Sequence, residues 1–232
     1  MAATVGQGHL TFPSQWTHLS SDGFGPFTTR VEHRREDGST HIWSSRRHRR
    51  GYGPQAERPA SRKRPSLFLW APHRLTWWIA VLFMIGAAHF IVGSLLFLIG
   101  FSNDTVIDTI FFVGSIFFTS AGYSQYHQSI NTATVIGHSQ PQHRRRWLAW
   151  QPERLDFWVT FPQLLGTIMF NFNTFDASLD LGWLGQDLAI WVPDIVGSIL
   201  FQVSGTLALF EICHRWWCRR NRSLGWWSTI IN

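Results

Sequence analysis

Asp194, Ser198, Gln202 and Thr206 stand four residues apart, and so do Gln163, Thr167 and Asn171. On a helix each step of four drifts by about 40°, so each set forms a slanted polar stripe along one side. Both stripes lie in strongly apolar surroundings. A hydroxyl or amide in such a place has two uses. It can bond a neighbouring helix, worth about 0.6–2 kcal/mol per contact. With an ionisable group such as Asp194, it can instead line a path for a proton or small solute. Lipid satisfies neither stripe, so the two are predicted to face one another.

The remaining reactive side chains point to less. His89 falls in the middle of an apolar run, and no second histidine is placed to complete a haem site with it. Glu211 and His214, one helical turn apart, read as an ion pair at a helix end. The two cysteines, Cys213 and Cys218, cannot build a disulfide framework, and no metal-ligand spacing surrounds them. There is no nucleophile–base arrangement, P-loop or dinucleotide fingerprint. The sequence therefore assigns no catalytic, cofactor-binding or metal-ligating residue, and an enzyme is not expected.

The chain carries a net charge of +6, which invites a nucleic-acid reading. The placement of the charge argues against it. Lys and Arg occur only up to Arg74, from Arg144 to Arg154, and from Arg215 to Arg222. Arg46, Arg47, Arg49 and Arg50, then Arg62, Lys63 and Arg64, form basic runs divided by Gly and Pro. Such runs are either solvated or in contact with anionic lipid headgroups.

The elements that must position these residues are long apolar segments. A hydrocarbon core of ~30 Å needs about 20 helical residues. Trp77 to about Gly100 satisfies that, and Val106 to Tyr123 returns after the polar turn Ser102–Thr105. Phe157 to about Phe172, with Pro162 near its start, is a shorter third crossing, and Leu188 to Ile212 a fourth. The two pairs are copies. Trp70, Pro72, Arg74, Leu75, Trp78, Gly86 and Phe90 match Trp150, Pro152, Arg154, Leu155, Trp158, Gly166 and Phe170 at an offset of 80, without a gap. Val113–Phe118 matches Val196–Phe201 at an offset of 83, and Gly122 matches Gly205 at the same offset. Similarity at a fixed period means repeated structural units. Leu224–Trp227 matches Leu75–Trp78 as the start of a third copy, so residues 214–232 are expected to hold the beginning of a fifth helix.

Orientation follows from the basic segments near helix ends. With four crossings, all three basic segments fall on one side. The turns at 101–105 and 173–187 have no Lys or Arg and carry Asp104, Asp176, Asp180 and Asp187. The N-terminus is then cytoplasmic, the location the cytoplasmic (inner) membrane, and the two repeats are parallel copies. Tryptophans 70, 77, 78, 147, 150, 158, 216, 217, 226 and 227 cluster at that same boundary, where an indole prefers to sit.

Phe90–Phe97 and, after a short turn, Phe112–Phe118 carry Gly-Ser within apolar runs. In these segments the chain resembles the YrhK-like domain of small bacterial membrane proteins, over roughly residues 74–124 and more loosely 154–213. The resemblance implies a transmembrane hairpin and brings no activity with it.

The expected fold class is therefore all-α: a polytopic membrane protein with tandem helical hairpins behind a mostly disordered basic region. Its parts are a basic region at 1–65 with a short β-hairpin at 28–45 around Glu36–Ser39, a hairpin at 66–124, a connector at 125–146, a second hairpin at 147–213, and the segment 214–232. The expected function is a non-enzymatic scaffold or membrane-association protein, with a small-solute or proton transporter as the alternative. The expected partners are membrane lipids and either further copies of the chain or other membrane proteins, with no nucleic acid.

Overall fold

A computed structural model describes residues 10–51, 55–56, 70–132, 145–176, 191–214 and 226. They belong to two compact units: one from residues 1–69, 127–159 and 205–232, the other from residues 70–126 and 160–204. The chain is not all-α. Its basic N-terminal region, expected to be mostly disordered, carries an antiparallel sheet of strands β1 (Thr17–Phe24), β2 (Phe27–Arg34), β3 (Thr40–Ser44) and a two-residue β4 (Gln55–Ala56), in that order. Helix α1 (Ser45–Arg49) follows β3 directly.

Turn chemistry and alternation explain the sheet. β2 and β3 pair across the turn where a hairpin was expected, with His33 opposite His41 and Val31 opposite Trp43. Gly38 takes φ +79° there, a left-handed conformation open to glycine, and Asp37 accepts the Ser39 N–H at 2.8 Å. Along β2, Thr29, Val31 and His33 are buried, while Arg30 and Glu32 are half-buried and Arg34 is exposed. That is the period of two of a strand with one covered face. Leu10, Val31 and Trp43 form a core with Phe12 and Trp16 against it. This small core replaces the membrane or partner surface that an isolated hairpin would need. A second cluster joins Phe24 to Leu155, Val159, Leu207 and Phe210 in the same unit.

The other unit is helical, with α2 (Leu75–Leu98) and α3 (Asp104–Ile130) forming the first hairpin. α2 ends in a Schellman turn: the Phe101 N–H bonds the Leu96 carbonyl, the Gly100 N–H bonds the Phe97 carbonyl, and Gly100 sits at φ +71°. Asn103 then caps α3, its side-chain oxygen taking the Val106 N–H at 3.2 Å. The second hairpin consists of α4 (Leu155–Asp176) and α5 (Val192–Cys213). Among the described residues, three helices, α2, α3 and α5, are long and apolar enough to cross a membrane. α4, the expected third crossing, is not among them, because its Gln, Thr and Asn residues dilute the apolar run. The expected loop at Asp176–Asp187 lies outside the described residues beyond Asp176. So does the third copy, apart from Trp226.

The internal repeat is also geometric. A Cβ on Gly86 would stand 2.3 Å from the Phe118 ring, and one on Gly166 would stand 2.9 Å from the Phe201 ring. Built on Gly114, it would meet the Gly86 carbonyl at 3.3 Å; on Gly197 it would meet the Gly166 carbonyl at the same distance. In both hairpins a phenylalanine fills the notch left by a glycine pair, which lets the backbones approach. The lead-ins repeat as well. The Trp78 indole donates to the Pro72 carbonyl at 2.9 Å, and the Trp158 indole to the Pro152 carbonyl at 2.8 Å.

Candidate functional site

The polar stripe of α4 lies against α3 rather than α5, although the Thr167 hydroxyl donates to the Leu164 carbonyl of its own helix. Ser115 bonds the Asn171 side-chain oxygen at 2.6 Å and lies 2.9 Å from the Thr174 hydroxyl. The Thr119 hydroxyl donates to the Thr167 carbonyl at 3.1 Å and accepts from the Asn171 amide. The Gln125 amide donates to Gln163 at 2.9 Å. Gln163 and Thr167 are buried, as are Ser115 and Thr174. Gly122 completes this face, where a Cβ would come 3.2 Å from the Thr167 hydroxyl.

The two predicted stripes therefore do not face one another. On α5, Ser198 and Gln202 are exposed, and Asp194 and Thr206 are half-buried. α5 meets α4 through Gly197 and Phe201, whose ring lies 5.5 Å from that of Phe170. The physical reason is that the backbone notch, not the polar stripe, sets which side of α5 turns toward α4. Ser115, Thr119 and Gln125 were not among the predicted site residues. The signal was present: Ser115 and Thr119 are four apart, and Ser115 is the repeat equivalent of Ser198.

The sheet unit has its own concentration of chemistry. Glu211, near the end of α5, is 1% exposed. Its carboxylate accepts from the Ser45 hydroxyl at 2.6 Å and from the Arg49 guanidinium, itself buried. This corrects two expectations. Glu211 pairs with Arg49 rather than His214, because His214 takes a left-handed backbone conformation and its Nδ1 meets the Thr29 hydroxyl at 2.7 Å. Arg49 is also withdrawn from contact with lipid headgroups. Arg47 and Arg50 remain exposed and Arg46 is half-buried. Burial, with Arg50 and Arg49 nearby, brings the Arg46 guanidinium down to about 10 against a weaker pull from Glu211. Arg62, Lys63 and Arg64 lie outside the described residues. A second buried pair joins Arg154 to Asp156, with Gln151 accepting from the same guanidinium at 2.8 Å.

The covered face of the sheet holds histidines that sequence reading passed over as hairpin residues. His33 stacks on Phe12 at 4.2 Å between ring centroids, His41 lies 4.6 Å from Trp16, and the Arg35 guanidinium sits 5.1 Å over the Trp16 ring. His41 is buried, and neither of its ring nitrogens has a hydrogen-bond partner. Burial, then the Arg35 cation and His33, lower the His41 imidazole to about 4. Burial and His18 lower His33 as well. Among the described residues, no group of three or more His, Cys, Asp or Glu is placed to hold a metal ion.

Neither a curated protein nor a solved structure matches the chain. The first hairpin with its lead-in, residues 73–130, matches the family described as YrhK-like protein.

Proposed function

We propose that the protein is a multi-pass integral membrane protein with a non-enzymatic scaffolding role, in which tandem hairpins anchor a small folded sheet unit at one membrane face. The observation that carries this reading is the division of charge. Among the described residues, every Lys and Arg except Arg74 belongs to the unit that contains the sheet. The described acidic residues of the helical unit are Asp104, Asp108, Asp176 and Asp194. Arginine is held to one face by the cost of moving it across the bilayer. The described basic residues between 30 and 50 and between 145 and 154, far apart in sequence, fall in one compact unit, as an even number of crossings between them requires. On this reading α4 crosses with the other three helices, its polar side covered by α3, and the sheet unit is cytoplasmic.

The scaffold reading also draws on what the polar groups do. On α4, the Gln163 and Asn171 side chains bond α3, and the Thr167 carbonyl accepts from α3 while its hydroxyl bonds the Leu164 carbonyl of its own helix. These bonds hold two helices together, which supports a joint over a path.

The test uses the full chain in its native membrane. Single cysteines at Ser39, Asn103 and Arg145 are labelled with an impermeant maleimide in intact cells and in inverted vesicles, after alkaline carbonate washing. Retention after the wash is expected, with Asn103 labelled from the face opposite to Ser39 and Arg145. Release by carbonate, or labelling of Asn103 and Arg145 from one face, overturns the reading.

A further inference from the structure

The covered face of the sheet carries a row of imidazoles. His18 pairs with His33 and His33 with His41, so the three stand side by side across β1, β2 and β3. Residues 10–16, Leu-Thr-Phe-Pro-Ser-Gln-Trp, form a strap over that row. Phe12 stacks on His33, Trp16 packs on His41, and Leu10 joins Val31 and Trp43 beside them.

The row suits neutral rings. His33 and His41 are 4% and 1% exposed, and neither Nδ1 of His33 nor either ring nitrogen of His41 has a hydrogen-bond partner. An imidazolium there would have two N–H donors to satisfy and a charge to desolvate. The groups facing the row add repulsion. From β1 comes His18, whose ring meets that of His33 edge-on at 5.3 Å. From β2 comes Arg35, and α1 brings His48, 5.5 Å from Trp43. Gln55–Ala56 of β4 and the strap itself bring no titratable side chain. Glu36 and Asp37, in the turn between β2 and β3, are exposed. The Trp16 ring, whose face could hold one cation, already has the Arg35 guanidinium 5.1 Å above it.

We propose that the Leu10–Trp16 strap is an acid-released cover: protons taken up by His33 and His41 lift it from the sheet and bare the imidazole row, while β2 and β3 stay paired. The strap gives way first because it grips the row through ring faces, which cannot replace water around an imidazolium. β2 and β3 hold each other by a backbone ladder over Arg30–Arg34 and Thr40–Ser44. With the strap off, both imidazoles meet water and titrate at their ordinary value. With it on, burial, then Arg35 and His33, hold His41 at about 4, and burial and His18 lower His33 as well. The closed strap is therefore fully stable above pH ~6.5 and weakens as pH falls. Between pH 7.5 and 5.5 the ratio of open to closed strap rises about tenfold from His41 alone, and further from His33. The device lies within the sheet unit and stands whether or not the helices cross a membrane.

The test uses the full chain in detergent micelles with Leu10→Cys, at a position buried under the strap. Its labelling by a methanethiosulfonate is followed by peptide mass spectrometry and divided, at each pH, by the rate for the same cysteine in a free peptide of residues 5–16. That quotient should rise at least tenfold from pH 7.5 to 5.5, with amide exchange protection across β2 and β3 unchanged. His41→Phe should lower the rise by about tenfold, and His18→Gln, on the exposed end of the row, should change it less. If His41→Phe does not fold, histidine titration by carbon-13 NMR in the Leu10→Cys chain takes its place: a buried imidazole must gain its proton as the quotient rises. A quotient that does not move with pH overturns the proposal. So does a rise that His41→Phe leaves intact, or that the NMR titration shows without proton uptake by a buried imidazole. Loss of β2–β3 protection together with the rise overturns it too, because the whole sheet would then be opening rather than its cover.

Discussion

In the sheet unit, the buried polar groups include Arg49 with Glu211, Arg154 with Asp156, and the imidazoles of His33 and His41. Among the described residues of the helical unit, the buried polar side chains are Ser115, Thr160, Gln163, Thr167, Thr174 and Ser204 with the phenol of Tyr126, and none of them is Lys, Arg, His, Asp or Glu. On the proposed membrane reading, the sheet unit lies beside water, so a full charge can be buried if its counter-charge and a hydroxyl come with it. On the same reading the helices cannot draw on water along their length, and they use hydroxyls and amides that bond without a charge to desolvate. The comparison teaches that the two units should fail under different insults: the first to charge and pH, the second to a change of shape.

The largest effect is expected where a buried charge is stranded. Arg49→Met removes the buried guanidinium that pairs with Glu211 and leaves the Ser45 hydroxyl bond and the more distant Arg46 charge. The sheet unit should lose about 3–5 kcal/mol, as broken buried pairs do. Tryptophan fluorescence during urea unfolding in micelles would report it through Trp16 and Trp43. Arg49→Met with Glu211→Leu should recover most of the loss, since no charge then remains uncompensated. Failure to recover would mean that packing, not charge, governs this site.

Next is the shape of the notch in the helical unit. Gly86→Ala puts a methyl 2.3 Å from the Phe118 ring and 3.0 Å from the Gly114 carbonyl. The expected cost is about 1–3 kcal/mol, typical of overpacking. Gly166→Ala, with contacts at 2.9 Å and 3.2 Å, should cost less. Thermal unfolding followed by circular dichroism separates the two. An equal loss from both, or none, would break the link between the notch and hairpin stability.

The sheet unit should also be sensitive to acid. The imidazole of His41 titrates near 4 in the folded chain, below its ordinary value of 6.5. The unfolded chain then binds the proton more readily. The contribution of His41 is present in full above pH ~6.5 and is lost as pH falls toward 4. Allowing for partial solvent screening, about 1–2 kcal/mol disappears across that window. His41→Phe should flatten the dependence. A sheet unit equally stable at pH 7 and pH 4.5 would contradict the neutral, buried imidazole.

The sequence revealed the helices well and the sheet poorly, for reasons that can be located. Long apolar runs bounded by Trp and Arg are unambiguous, and the Gly86–Phe118 notch was visible as a repeat before its geometry was known. β2 and β3 carry alternation around a strong turn. β1 reads Thr-His-Leu-Ser-Ser-Asp-Gly-Phe, with most of its residues exposed and no apolar face, so nothing local marks it as a strand. It forms because β2 offers an edge and because Phe24 finds Leu155 and Val159, more than 100 residues away in sequence. The same distance hid the pairing of Arg49 with Glu211. His214, three residues from Glu211, is the partner that local spacing suggests, and no local spacing points to Arg49. Gln163, Thr167 and Asn171 are spaced as a stripe and lie against α3, and a step of four residues does not say which neighbour a stripe meets.

The smallest predicted effect is the one that separates glue from pathway. Asn171 bonds Ser115 and Thr119 at once. Asn171→Leu removes both bonds yet keeps the volume and the apolar exterior of α4. Interhelical bonds of this kind are worth about 0.6–2 kcal/mol, because the unfolded helix in the membrane also finds partners. The variant should therefore lose about that much and still insert with the same topology. A proton or small-solute flux in vesicles, if the wild-type chain supports one, would be abolished at a conducting residue and unchanged at a structural one. Paired with Ser198→Ala on the exposed side of α5, where no loss of single-chain stability is expected, the variant asks whether polar groups in the helical unit matter only where a second helix covers them. A flux abolished by Asn171→Leu at unchanged stability would turn the α3–α4 contact from a joint into a path.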